Sequence, residues 1–248
     1  MSSVRFGPIR LLIVSLFLAS GCLDDVQDGY ALPYGESPFK PAESRIAGAK
    51  LLPEGALAGS RACGECHPEI YAQWQDSLHR PAATDPFSRF AVDRMAEEYG
   101  VAATRLCVAC HEPGALLSGA VDPTGTIDNA TRLEGVSCLS CHLVRETHEC
   151  LQHPVVANGS YEIELLPRDV LFPEKDVASL ARHGAALRRP SLSENRFCDA
   201  CHRFFIPTQL GGHPAGRLRL QAAEAEGSPF GDPTSPGYRS CVDCHMPR

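Results

Sequence analysis

The chain has 248 residues, 12 of them cysteine and 10 histidine, and a formal net charge of −7 at pH 7. Cysteine usage is far above the ordinary level for a domain of this size. The acidic balance excludes nucleic acid as a partner, because the basic face that such binding needs is absent.

Residues 1–21 read as a signal peptide. Arg5 and Arg10 supply a positive start, Leu11 to Ala19 form a short apolar run, and Ala19, Ser20 and Gly21 offer small residues at a cleavage point. The apolar run is too short to span a bilayer as a permanent helix. Cys22 follows directly, as in a bacterial lipoprotein signal, although the Leu usual three residues earlier is Ala19 here, with Leu18 one position further away. Cys22 is read as the lipid attachment site, since a cysteine at that point has no other evident role. The expected location is outside the cytoplasm, in the periplasm or outer envelope, anchored to the membrane through Cys22. Cleavage removes Arg5 and Arg10 and no acid, which moves the charge from −7 to −9.

Residues 22–60 contain several Pro, Gly and Ser and little periodicity, and read as a tether or N-terminal wrap. Residues 61–248 read as one domain. Its first landmark is Cys63-Gly-Glu-Cys66-His67, followed by a predicted helix from about Pro68 to Leu78 with Tyr71, Trp74 and Leu78 on one stripe. A second helix is predicted from about Phe87 to Tyr99. Next come Cys107-Val-Ala-Cys110-His111 and Cys138-Leu-Ser-Cys141-His142, and then a helix over Asp176 to Arg189 with Asp176 as its N-cap. Cys198-Asp-Ala-Cys201-His202 and Cys241-Val-Asp-Cys244-His245 complete the series. With 20 Pro and 21 Gly, long strands or a parallel sheet are not expected.

Five Cys-x-x-Cys-His motifs use ten of the 12 cysteines. They start 44, 31, 60 and 43 residues apart, so no fixed repeat and no solenoid is implied. Two thiols three positions apart reach the two vinyl groups of one haem as thioethers, and the next histidine lies under the iron. A disulfide framework would not place His after every second cysteine, zinc ribbons have no obligatory His, and a thioredoxin-type motif would occur once. The cofactors expected are therefore five covalently bound haem c groups, with His67, His111, His142, His202 and His245 as proximal iron ligands. Wrapped around that array, the fold is expected to be mainly α and loop-rich, its short helices enclosing a core made largely of porphyrin.

Each iron has a second axial position, and five histidines remain: His79, His148, His153, His183 and His213. All five are candidate distal ligands. On a continuous helix His79 would lie roughly 18 Å from His67, so the two cannot clamp one iron and His79 is expected to reach a neighbouring haem. His148 follows His142 by six residues, too short a path around a porphyrin edge, and is likewise expected to serve another haem. Met95 and Met246 are alternative ligands, for which packing is the better reading. Cys150 has no assigned role.

Three segments resemble the multihaem cytochromes related to the tetrahaem cytochrome of nitrifying bacteria and to hydroxylamine oxidoreductase. They are Cys63 to His79 with Tyr71, Trp74 and Ser77, Gly135-Val136-Ser137-Cys138 to His142 with His148 downstream, and the ending Cys241 to Pro247. The resemblance implies closely stacked haems, mostly bis-His ligated, with His79 and His148 as distal ligands. This chain departs from the pattern before its last motif, where only Ser228-Pro229-Phe230 remains of a Trp-x-x-Ser element. All five motifs end in His, unlike the pentahaem nitrite reductases, whose catalytic haem typically has Lys there.

The function expected is electron transfer between redox proteins, with a membrane quinol-oxidising complex among the candidate partners. No catalytic residues are assigned, since neither a Ser-His-Asp set nor a paired-carboxylate motif is evident. The alternative is a terminal oxidoreductase acting on a small inorganic nitrogen or sulfur species at one haem with an open distal site.

Overall fold

Pro68 and Pro86 each start a helix where the first N–H has no partner to lose. These belong to a computed structural model that describes residues 37–121, 134–150, 154–211, 225 and 227–246. The segment read as a signal peptide, Cys22, His153 and His213 lie outside the described residues.

The described residues are mainly helical with loops. In chain order the helices are α1 (Ser60–Gly64), α2 (Pro68–Asp76), α3 (Pro86–Tyr99), α4 (Val101–His111), α5 (Pro113–Leu117), α6 (Cys138–His142), α7 (Arg168–Leu171), α8 (Val177–Leu187), α9 (Asn195–His202) and α10 (Cys241–His245). Asp85 caps α3 by accepting from the N–H groups of Phe87 and Ser88, and Asp176 caps α8 through Ala178 and Ser179. The helix predicted to reach Leu78 stops at Asp76. Ser77 is extended (φ −82°, ψ 159°), so Leu78 leaves the stripe and stands 87 % exposed.

Three short strands form one sheet in the order β1 (Arg45–Ile46), β3 (Tyr161–Ile163), β2 (Val144–Thr147). β2 pairs antiparallel with β3, Thr147 opposite Tyr161. β1 pairs parallel with β3, Arg45 opposite Glu162 and Ile46 opposite Ile163, a parallel contact that composition did not anticipate. Two residues suffice for it because Ser44 and Ala47 extend the attachment, Ser44 Oγ donating to Gly159 O and Ala47 N to Ile163 O.

The chain also has a polypeptide core. Phe39, Leu52 and Leu57, from the segment read as a tether or wrap, are buried there with Leu116, Leu117, Leu143, Tyr161 and Ile163. Middle residues of three motifs, Val108, Leu139 and Ala200, lie in the same cluster, with Cys110 and Cys201 against it. These three motifs are thus fastened to a common centre. No helix among the described residues is long and apolar enough to cross a membrane.

Candidate functional site

A Cys-x-x-Cys-His segment has to form a helical turn before its two thiols and its imidazole can share one target. In the third and fifth motifs the turn is capped from within. Ser137 accepts from Ser140 N while Ser140 accepts from Ser137 N, and Ser240 and Asp243 do the same around Cys241. The second and fourth motifs instead close the C-terminal ends of α4 and α9, and Cys63 lies in α1 with His67 at the N-cap of α2.

The motifs touch one another. The helix that holds Cys63 packs on the helix of the third motif, and the helices of the fourth and fifth motifs pack on each other, while Val108 and Cys110, Leu139, and Ala200 and Cys201 share one apolar cluster. The first motif therefore meets the third, the second, third and fourth share one core, and the fourth meets the fifth. Backbone ties fix these contacts. Cys138 N donates to Ser60 Oγ at 3.3 Å and Cys241 N to Asn195 Oδ1 at 2.8 Å. Tyr161 Oη donates to Ala109 O at 2.7 Å, and Gly159 N to Ala200 O at 2.7 Å. Glu134 closes the first motif from outside, its carboxylate accepting from Gly59 N, Ser60 N and Ser60 Oγ.

The sulfur environments differ: the neighbours Cys63 and Ser60 draw the Cys138 thiol down to about 6, while three others are raised. Burial pushes the Cys107 thiol up to about 11, and the Cys141 and Cys198 thiols up to about 12. Among the described residues no three His, Cys, Asp or Glu side chains group as they would around a bare metal ion.

The histidines come in pairs instead. The rings of His67 and His183 have centroids 6.2 Å apart with planes 17° from parallel. Those of His79 and His202 are 6.1 Å apart with planes at 71°. An imidazole nitrogen sits about 2.0 Å from a metal and about 1.1 Å from its own ring centre, so two imidazoles on opposite sides of one iron have centres about 6.2 Å apart. Both pairs fit that spacing.

Ring orientation fits as well. A ligating imidazole normally gives its other nitrogen to a carbonyl, which fixes the tautomer and frees Nε2. Nδ1 lies within hydrogen-bond reach of a carbonyl in His183 (Val170 O, 2.8 Å), His142 (Leu187 O, 3.1 Å), His111 (Ala82 O, 3.2 Å) and His148 (Glu149 O, 3.2 Å). Ser88 Oγ adds a second contact to His111 Nδ1 at 3.1 Å. Nε2 of His148 is buried with no hydrogen-bond partner, and burial holds this ring below the ordinary imidazole range, in the neutral form that a metal binds. The residues present therefore fit covalent haem.

The remaining candidates are placed as follows. Met95 packs beside Leu106 and accepts from the Cys107 thiol at 3.8 Å, and Met246 is exposed after His245. Cys150 is a buried thiol that donates to Ala157 O at 3.1 Å. Ser88, Glu134 and Asn195 were not singled out in the sequence, because each acts through a contact 23 or more residues away that local pattern does not carry.

Comparison with known proteins gives a likeness over the first three motifs. The profile of the family described as cytochrome c554 and c-prime matches residues 62–143. That stretch is about a third of the chain and contains the first three motifs. No curated protein and no solved structure matches. The match supports a c-type cytochrome, an electron-transfer protein with covalently bound haem.

Proposed function

We propose that this chain is an exported pentahaem c-type cytochrome, of the kind related to the tetrahaem cytochrome of nitrifiers, that carries electrons between redox proteins. The single observation that carries this reading is the continuous packing of all five Cys-x-x-Cys-His motifs, the second, third and fourth in one apolar cluster, the first against the third and the fifth against the fourth. Each haem, when bound, supplies a one-electron iron couple. The chain's own part is positional. Cys63 and Cys66, Cys107 and Cys110, Cys138 and Cys141, Cys198 and Cys201, and Cys241 and Cys244 would hold the groups as thioethers. His67, His111, His142, His202 and His245 would be their proximal iron ligands.

The carbonyl contacts of His111, His142, His148 and His183 keep those rings in one tautomer and orientation, so that little rearrangement accompanies a change of charge. The hydrogen bonds of Tyr161, Gly159, Asn195 and Ser60 lock one motif to the next. Lipidated Cys22 would hold the assembly at a membrane surface, within reach of a quinol-oxidising complex as donor.

The test is intact-mass measurement of the mature holoprotein together with a redox titration. Five haem additions, lipid on Cys22 and reversible one-electron steps are expected. Fewer than five additions overturn the count. A high-spin haem whose spectrum shifts on adding nitrite or sulfite would favour the oxidoreductase reading instead.

A further inference from the structure

Two stretches of the chain each contain one complete attachment motif and one spare histidine. The first runs from Cys63 to His79, the second from His183 to His202. Within each stretch the two histidines belong to different ring pairs. His67 of the first motif faces His183 at 6.2 Å, and His202 of the fourth motif faces His79 at 6.1 Å.

The geometry points to an exchange of axial ligands: the haem held by Cys63 and Cys66 is ligated by His67 and His183, and the haem held by Cys198 and Cys201 by His202 and His79. This rests on the pentahaem cytochrome reading and adds the identity of two of its iron sites. Each stretch attaches one haem covalently and clamps the haem of the other stretch from the opposite side.

Both spare histidines are held for this task. His183 is in α8, where Asp176 fixes the helix start and Val170 O engages Nδ1. His79 lies just past α2, where its own carbonyl accepts from Val136 N at 2.9 Å. Two imidazole pairs of the chain have the centre-to-centre spacing of two ligands on one iron.

The two sites also differ electronically. A ligating imidazole donates from the π orbital normal to its ring into one of two iron d orbitals. Nearly parallel rings, as in His67 and His183 at 17°, both raise the same orbital and split the two. Rings at 71°, as in His79 and His202, raise one each and leave the orbitals nearly equal. The first arrangement gives an ordinary rhombic low-spin ferric signal in electron paramagnetic resonance. The second gives a single strongly shifted low-field feature.

The experiment uses the full chain matured with haem, as wild type and as His79→Met and His183→Met. Methionine keeps the iron six-coordinate, so the fold has the best chance of surviving. Haem mass and resonance spectra are recorded for all three. In the wild type both kinds of signal are expected. Relative to it, His79→Met loses the strongly shifted feature and keeps the rhombic signal of the His67–His183 site, and His183→Met does the reverse. Each variant gains the charge-transfer band of a methionine-ligated ferric haem.

Loss of the same signal in both variants overturns the exchange, as does an unchanged spectrum in either fully loaded variant. Should a variant fail to mature, the wild type still decides, because absence of the strongly shifted feature there overturns the assignment of His79 with His202. A wild-type protein without covalent haem sinks the cytochrome reading itself, an outcome visible in the mass before any spectrum is taken.

Discussion

The carbonyl oxygen of His79 accepts the backbone N–H of Val136 at 2.9 Å, which joins the stretch just past α2 to the approach of the third motif. Gly135 makes this contact possible. Its φ is +51°, and a Cβ there would stand 2.5 Å from the carbonyl oxygens of both His79 and Arg80. Gly135→Ala is therefore expected to cost about 1–3 kcal/mol and to displace His79. In the holoprotein the variant should lose the same resonance feature as His79→Met, with haem mass unchanged.

Trp74 reinforces the joint by donating Nε1–H to Val136 O at 2.8 Å. Trp74→Phe keeps an aromatic body beside Tyr71 and removes the donor. A loss of about 0.5–1.5 kcal/mol is expected in denaturant unfolding, with haem content preserved.

Gly159 and Tyr161 hold the second and fourth motifs together. Gly159 has φ +72°, and a Cβ on it would approach Ala109 Cβ to 2.7 Å. Tyr161→Phe leaves the buried Ala109 carbonyl without its donor and should cost about 1–3 kcal/mol. Gly159→Ala should cost at least as much, since strain adds to the clash. Thermal unfolding followed by Soret absorption checks both.

Acid should weaken α3 and α8 through their caps. Hydrogen bonds from Ser88 and Phe87 hold Asp85 below the ordinary carboxylate range, and those from Ser179 and Ala178 do the same for Asp176. A carboxylate with a lowered folded pKa stabilises above its unfolded value of about 3.9, and that contribution is lost as pH falls through the folded value. Asn caps a helix as well as Asp does without titrating. The double variant Asp85→Asn, Asp176→Asn is expected to match wild type near neutrality and to show a shallower decline in melting temperature below about pH 4.

Cys150 should be the one alkylatable thiol of the mature protein, and only after denaturation. It is buried, and desolvation pushes its thiol up to about 11, so little thiolate exists at neutral pH. One labelled cysteine in denaturant is the expected result. A second would reveal an attachment motif or a Cys22 that had not been modified.

The helix starts were legible in the sequence, because Pro68, Pro86 and the caps Asp85 and Asp176 act on their immediate neighbours. The end of α2 was not, since the turn at Ser77 follows from the hold of Val136 on His79, a contact between distant residues. The ten motif cysteines and their histidines could be named from spacing alone. Which histidine faces which could not, for His183 and His67 are 116 positions apart and no local pattern links them. The share of residues 37–60 in the core was equally hidden, because Phe39, Leu52 and Leu57 are isolated apolar residues among Pro, Gly and Ser.

The two positions written as x in Cys-x-x-Cys-His are free as far as the sulfur chemistry is concerned, yet here several of them have local duties. Val108, Leu139 and Ala200 fill the protein interior, while Ser140 and Asp243 complete the turns that begin at Ser137 and Ser240. The five motifs are consequently not interchangeable parts. Grafting Val-Asp from the fifth motif into the third would set a carboxylate where Ser140 is 7 % exposed and a shorter side chain where Leu139 is 3 % exposed. The formula is shared, but each copy has its own address in the fold.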